Sequence, residues 1–189
     1  MSCDVVLIGV EQGARETLVQ LISDLPTHFT ASVIVVEHTA HTCNGLDPLH
    51  RALTVHSRLP VWDVVDKDPI IMGRVYLPPP DYHLLVEPGS FSLSTDAPVD
   101  GMRPSIDSLL DSAADAYGDR AVVVVLGRPS DATKTALERF VASGANVVCD
   151  RAEVANMFES RIGVQSLPVG DMIQFLLRKV LPAEETNCG

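Results

Sequence analysis

Short, uninterrupted apolar runs alternate along the chain with stretches in which apolar residues recur every three or four positions. The runs Asp4–Val10, Ser32–Glu37 and Ala121–Leu126 are rich in β-branched residues, which is typical of strands that are buried on both faces of a sheet. Shorter runs of the same kind predict four more strands, at Val61–Val65, Arg74–Leu77, Asn146–Asp150 and Val164–Leu167. The strand-like runs on either side of Pro88-Gly89 predict a β-hairpin of Tyr82–Glu87 and Ser90–Ser94.

Helical periodicity fills the intervals between these strands. The clearest example is Ser105–Tyr117, where Ile106, Leu109, Leu110 and Ala113 lie on one face of a predicted helix. Similar spacing predicts helices at Ala14–Leu25, Leu46–Val55, Asp131–Ala142 and Asp171–Leu181. Alternating buried strands and amphipathic helices indicate an α/β fold, with a doubly wound, mostly parallel sheet, helices on both faces and the β-hairpin.

Length and charge limit what this fold can do. The 189 residues fit a single domain spanning 1–189, and we expect a frayed tail at 182–189. The formal charge of −11 argues against binding nucleic acid, because phosphate contacts need clustered cations. No run approaches the roughly 20 apolar residues of a spanning helix, so we expect no membrane insertion. Four scattered cysteines without a C-x-x-C pair indicate reduced thiols and a cytoplasmic location.

Polar residues follow three of the predicted strands. Ligands of an open parallel sheet bind beyond the carboxyl ends of the strands, at the point where the strand order reverses. Glu11 follows the first strand, His38 the second and Asp131 the strand Ala121–Leu126, so the three side chains are expected to meet in one crevice. Each also has a purely structural interpretation: Glu11 as a first-turn residue favoured by the helix dipole, His38 as a satisfied loop histidine and Asp131 as a helix N-cap.

Several common sites are absent from this region. Gly9 and Gly13 are too sparse for a dinucleotide-binding fingerprint, and no phosphate-binding P-loop motif occurs. The spacing His38-x-x-His41-x-Cys43 resembles metal ligation, but no second ligand pair of the zinc-finger type follows it. We therefore predict neither a metal site nor a cofactor.

Five blocks of sequence resemble the catalytic domain of the bacterial chemotaxis protein-glutamate methylesterases, the CheB family. The family's I-G-A/S-S-T-G-G reads Ile8–Ala14 here, and its V-V-x-H reads Val35–His38. Its G-R-V-Y-x-A-P-x-x-x-H-L corresponds to Gly73–Leu84, its R-P-S-V/I-D is intact as Arg103–Asp107, and its G-M-G-x-D-G corresponds to Gly127–Ala132. The similarity runs from about residue 4 to residue 178, which is nearly the whole chain. It implies one methylesterase-like domain over residues 1–189, which we expect to have no receiver domain.

The resemblance implies a hydrolase that removes γ-methyl esters from glutamates, or deamidates glutamines, on methyl-accepting chemoreceptors. In that family a serine hydroxyl attacks the ester, a histidine accepts its proton and an aspartate orients the histidine. Matched position by position, His38 is the base, Asp131 is the orienting carboxylate and Glu11 occupies the place of the serine nucleophile. We expect an ionic cluster of these three residues, in which the Glu11 carboxylate favours an imidazolium at His38.

The substrate and oxyanion region departs from the family as well. Gln12 stands where the family has threonine, and the glycine pair is reduced to Gly13 followed by alanine. Arg128 replaces the methionine of G-M-G, and the proline that follows it has no N–H to offer an oxyanion. Ser130, the next residue, is a candidate for a displaced nucleophile.

Three functions remain open. The first is a pseudoenzyme that binds a chemoreceptor or another chemosensory protein without turnover. The second is an active ester or amide hydrolase, a receptor methylesterase or deamidase, in which Glu11 acts as general base on water with His38 and Asp131. The third is a small-molecule or metal-binding α/β protein unrelated to signalling.

Overall fold

Seven parallel strands form the central sheet of this protein, whose computed structural model describes residues 3–38, 48–157 and 163–180. The strands are β1 (Val5–Val10), β2 (Ser32–Glu37), β3 (Val61–Asp63), β4 (Val75–Leu77), β5 (His83–Glu87), β6 (Ser90–Ser94), β7 (Ala121–Leu126), β8 (Asn146–Cys149) and β9 (Val164–Ser166). The helices are α1 (Arg15–Asp24), α2 (Pro48–His56), α3 (Ile106–Tyr117), α4 (Asp131–Ala142), α5 (Ala152–Asn156) and α6 (Val169–Val180). The sheet order is β3-β4-β2-β1-β7-β8-β9, and β5 and β6 pair with each other as an antiparallel hairpin.

Helices cover both faces of this sheet, as the sequence pattern predicts. Helices α1, α2 and α6 pack on one face, around residues such as Leu18, Leu53 and Leu176. Helices α3 and α4 and the hairpin pack on the other face, with Leu109 and Phe140 among the buried residues. Strands β1 and β7 are therefore buried along their whole length, which explains their continuous apolar sequences. No helix in the described ranges is long and apolar enough to span a bilayer.

The observed elements differ from the predicted ones mainly at their ends and in one short helix. Helix α5 was not predicted, because its five residues are too few to show a helical period. Helix α6 starts two residues before the predicted Asp171, and its first-turn N–H groups bond to the carbonyl of Pro168. The predicted start of α2 at Leu46 and the predicted frayed tail at 182–189 lie outside the described residues.

The strand order reverses between β1 and β7, so a crevice opens at their carboxyl ends. Hydrogen bonds continue the ladder one residue beyond the strands on this side. The backbone N–H of Glu11 donates to the carbonyl of Leu126 at 2.9 Å, and that of His38 donates to the carbonyl of Val10 at 2.8 Å. The backbone therefore fixes Glu11 and His38 side by side at the switch point.

Gly127 follows β7 and allows the chain to turn away from the sheet next to Glu11. Its φ is +89°, and a Cβ at this position would lie 2.9 Å from the Cβ of Glu11. A side chain at this position would therefore strain the backbone. It would also clash with Glu11, which cannot easily move away because its backbone is held by the ladder hydrogen bond.

Gly127→Ala should lower the free energy of unfolding by about 2–4 kcal/mol, combining left-handed strain with a steric clash. Gly89→Ala is the matched control, because Gly89 also has a positive φ of +82° but no atom within 4 Å of the added methyl group. Its loss should be only about 1–2 kcal/mol. Urea unfolding of the two variants measures the difference, and equal losses would contradict the proposed clash with Glu11.

Candidate active site

Glu11 and His38 form a hydrogen-bonded pair at the switch point. Both residues are buried, at 8% and 4% relative exposure. His38 Nδ1 lies 3.1 Å from Oε2 of Glu11, and His38 Nε2 lies 2.9 Å from the backbone nitrogen of Ile106. A backbone N–H can only donate, so Nε2 accepts, and the ring proton sits on Nδ1 and is donated to Glu11. The ring is neutral in this arrangement, and the expectation of an imidazolium is wrong.

The second oxygen of Glu11 faces the beginning of α4. Oε1 lies 3.4 Å from both the N–H of Ser130 and the hydroxyl of Thr133. The N-terminus of a helix favours a negative charge, which helps to keep an ionised carboxylate in this buried position. The donors to Glu11 in the described part of the chain, which are the His38 ring, the Ser130 N–H and the Thr133 hydroxyl, are therefore neutral. Among residues 3–38, 48–157 and 163–180, no lysine or arginine forms an ion pair with it.

Asp131 does not join this pair. Its side chain is 97% exposed, and its carboxylate accepts a hydrogen bond from Lys134 Nζ at 2.6 Å. That hydrogen bond and the charge of Lys134 lower the pKa of Asp131. Ser130, rather than Asp131, is the N-cap of α4, because its hydroxyl accepts from the N–H of Thr133. As the first residue of the helix, Asp131 points to solvent. The expected three-residue cluster is wrong, and Glu11 occupies the side of His38 that an orienting carboxylate would take.

Asp107 is a second carboxyl group at this site and is not among the site residues predicted from the sequence. It lies in the first turn of α3, is 7% exposed, and has one buried oxygen, Oδ1, without a hydrogen-bond partner in the described structure. Burial raises the pKa of Asp107 and the nearby Glu11 adds to this rise, while a hydrogen bond with Thr133 opposes it. The sequence signal that could have pointed to Asp107 is its position in the intact block Arg103–Asp107. In this block it follows Ile106, whose N–H binds His38.

An open cleft of about 430 Å³ lies in front of the pair. Its lining residues are Glu11, Gln12, His38, Asp100, Met102, Arg128 and Ser130. Three of the four residues predicted for the substrate or oxyanion region thus face one space, and Gly13 adjoins it in a turn with a φ of +82°. Their roles in binding or catalysis stay predictions.

A hydroxyl nucleophile does not contact His38 in the described structure. The Ser130 hydroxyl, the candidate for a displaced nucleophile, instead accepts from the Thr133 N–H at 3.0 Å and lies 3.1 Å from the Thr133 hydroxyl. Burial raises the pKa of Cys3 to about 12 and that of Cys149 to about 11, so neither is a reactive thiolate at neutral pH. His41 and Cys43 of the metal-like spacing lie outside the described residues, within which no group of three metal-binding side chains occurs.

Asp107→Asn should stabilise the protein at neutral pH by about 1 kcal/mol, because it removes a carboxyl group that is costly to ionise when buried. Because the pKa of Asp107 is raised in the folded state, its contribution to stability is fully present at pH values below the ordinary carboxyl range. That contribution is lost as the pH rises through the raised value. The gain from asparagine should therefore shrink as the pH falls below about 4.

Asp111→Asn provides the control one turn further along α3, where the carboxylate is 47% exposed and paired with Arg139. Thermal unfolding of both variants between pH 3 and pH 7 makes the comparison. A loss of stability in Asp107→Asn at pH 7 would contradict the assignment.

Comparison with known proteins gives a consistent result. The profile of the CheB methylesterase family matches residues 6–173. A Leptospira interrogans protein named as a candidate protein-glutamate methylesterase/protein-glutamine glutaminase is 32% identical over 171 residues, which cover 88% of each chain. Protein-glutamate methylesterase/protein-glutamine glutaminase 2 of Anaeromyxobacter dehalogenans is 35% identical over 147 residues, covering 78% of this chain and 40% of that protein.

The same similarity is seen in three dimensions. The crystal structure of the Thermotoga maritima CheB methylesterase catalytic domain superposes with a TM-score of 0.81 at 25% sequence identity, covering 94% of this chain and 98% of that one. On the sequence profile and the shared fold together, the chain belongs to the CheB methylesterase family.

Proposed function

We propose that this chain is a catalytically impaired methylesterase-type domain that acts by binding a methyl-accepting chemoreceptor or another chemosensory protein. The observation that carries the proposal is the state of His38. One ring nitrogen donates to Glu11 and the other accepts from the backbone of Ile106. With both nitrogens bonded inside the protein, the ring has no free lone pair with which to take a proton from an attacking hydroxyl.

The chemistry of Glu11 also supports the proposal of a catalytically impaired domain. A carboxylate that attacked a methyl ester would have to form a mixed anhydride while expelling methoxide, a much more basic group than itself. The oxyanion that develops on the ester also has one backbone donor fewer, because Pro129 has no N–H. Both the nucleophile and the electrostatic stabilisation of the reaction are therefore weakened.

The binding half of the proposal is supported by what the chain retains. The cleft remains open, and the exposed side chains of Gln12 and Arg128 border it. The relatives are named for acting on protein glutamates and glutamines, and the proposal gives this chain the same kind of target without the reaction.

An active hydrolase with Glu11 as base on water and His38 as acid has less support. In that mechanism His38 must give a proton to the leaving group. Its single proton is on Nδ1 and is held by Glu11, whereas Nε2 carries none.

Methanol release from receptor membranes carrying methyl-esterified glutamates tests the proposal, with the Thermotoga maritima catalytic domain as positive control. The chain should release methanol at the uncatalysed rate, and His38→Ala should leave that rate unchanged. Glu11→Ser should remain at least about 100-fold below the positive control, because Ile106 still occupies Nε2 and Pro129 still lacks a donor.

Release above background that His38→Ala abolishes would overturn the impaired state. Circular dichroism of each variant establishes that a silent protein is folded.

A further inference from the structure

A fixed negative charge lies at the base of the cleft. The Glu11 side chain reaches the cleft, where its carboxylate is held by the His38 ring, the Ser130 N–H and the Thr133 hydroxyl. These donors stabilise the carboxylate but are neutral, so its charge is not cancelled. A family serine at this position would have left the same place uncharged.

The other charged side chains of the cleft do not reverse this sign. Asp100 adds a second carboxylate to the lining. Arg128 is the cation among the described lining residues, and it also lies close enough to Asp131 to favour the ionised form of that carboxyl group. Against the two carboxylates of Glu11 and Asp100 it supplies one positive charge, so the cleft as a whole stays negative.

A glutamyl side chain entering this cleft would meet different forces in its three chemical forms. A free carboxylate is repelled by Glu11 and Asp100, and the repulsion is strengthened where the cleft wall excludes water. A γ-methyl ester carries no charge. A primary amide is uncharged and can also donate an N–H to a remaining lone pair of Glu11.

We propose that this cleft distinguishes the modification state of a chemoreceptor, binding the γ-methyl ester and amide forms of a glutamyl site and rejecting the free carboxylate, with Glu11 as the residue that discriminates. The inference rests on the proposed function, since a domain that hydrolysed the ester would destroy the form it recognises. It makes the chain a sensor of methylation within the same family scaffold. The net charge of −11 acts in the same direction, because it weakens the approach to receptor segments rich in ionised glutamate.

The experiment measures binding of the full chain to one methyl-accepting chemoreceptor in nanodiscs, prepared with glutamate, glutamine or enzymatically methylated glutamate at its modification sites. The chain should bind the glutamine and methyl-ester forms at least about tenfold more tightly than the glutamate form, a difference of about 1.4 kcal/mol. Mass spectrometry after each titration shows that the ester is intact.

Glu11→Gln should remove most of this preference by strengthening binding of the glutamate form, because glutamine can still accept the His38 proton but carries no charge. Asp100→Asn is a second variant at an exposed position, and its φ of +49° is one that asparagine tolerates. It should reduce the preference by a smaller factor. Glu138 is an exposed residue two turns after the start of α4. Glu138→Gln removes the same charge away from the cleft and should leave the binding preference unchanged.

Equal binding of the three forms, or a preference that Glu11→Gln and Asp100→Asn leave unchanged, would overturn the inference while the proposed binding function stands. Absence of binding to every form would overturn both. Loss of the methyl group during the titration would overturn the proposed impaired state, and mass spectrometry detects it separately.

Discussion

The hydrogen bonds of one buried imidazole ring govern this site. His38 is almost completely covered, so each of its nitrogens needs a partner inside the protein. The backbone N–H of Ile106 takes Nε2 and the Glu11 carboxylate takes Nδ1. Because the backbone donor cannot be reversed, the position of the ring proton and the neutral state of the ring follow from it. The same bonds that satisfy the histidine support the proposal that it does not act as a general base.

The surrounding fold makes these bonds possible because backbone hydrogen bonds hold both chain segments in place. Ladder hydrogen bonds hold the backbones of Glu11 and His38 at adjacent strand ends. Arg15, at the start of α1, makes two hydrogen bonds of 2.9 and 2.7 Å to Glu37, the residue before His38, and so ties the second strand to the first helix. Gly127 leaves room for the Glu11 side chain. The scaffold is that of the family, as the TM-score of 0.81 shows.

The Glu11 carboxylate gives the cleft a negative charge at its base. Neutral donors from α4 and His38 hold the charge of Glu11 without cancelling it. Asp107 is buried near Glu11, and its raised pKa reflects both burial and this neighbouring carboxylate. The two carboxyl groups therefore differ in their surroundings: Glu11 borders the cleft, whereas Asp107 is buried at the start of α3 with an unpartnered oxygen. Charge selection at the cleft is the function that this arrangement favours.

The sequence by itself determined the fold class, the family and the meeting of Glu11 with His38. Buried strands and amphipathic helices leave periodic patterns, and strand ends at a switch point converge whatever their side chains are. Only the tertiary structure decided the partners within the site. Asp131 was expected beside His38, but its side chain turns to solvent because Ser130 caps the helix. Asp107 and the Ile106 N–H come from a segment about 70 residues away from His38 in the chain, and no local pattern marks a backbone donor or an unpartnered oxygen. Hydrogen-bond direction and burial are properties of three-dimensional packing, and for that reason they appear only when the chain is folded.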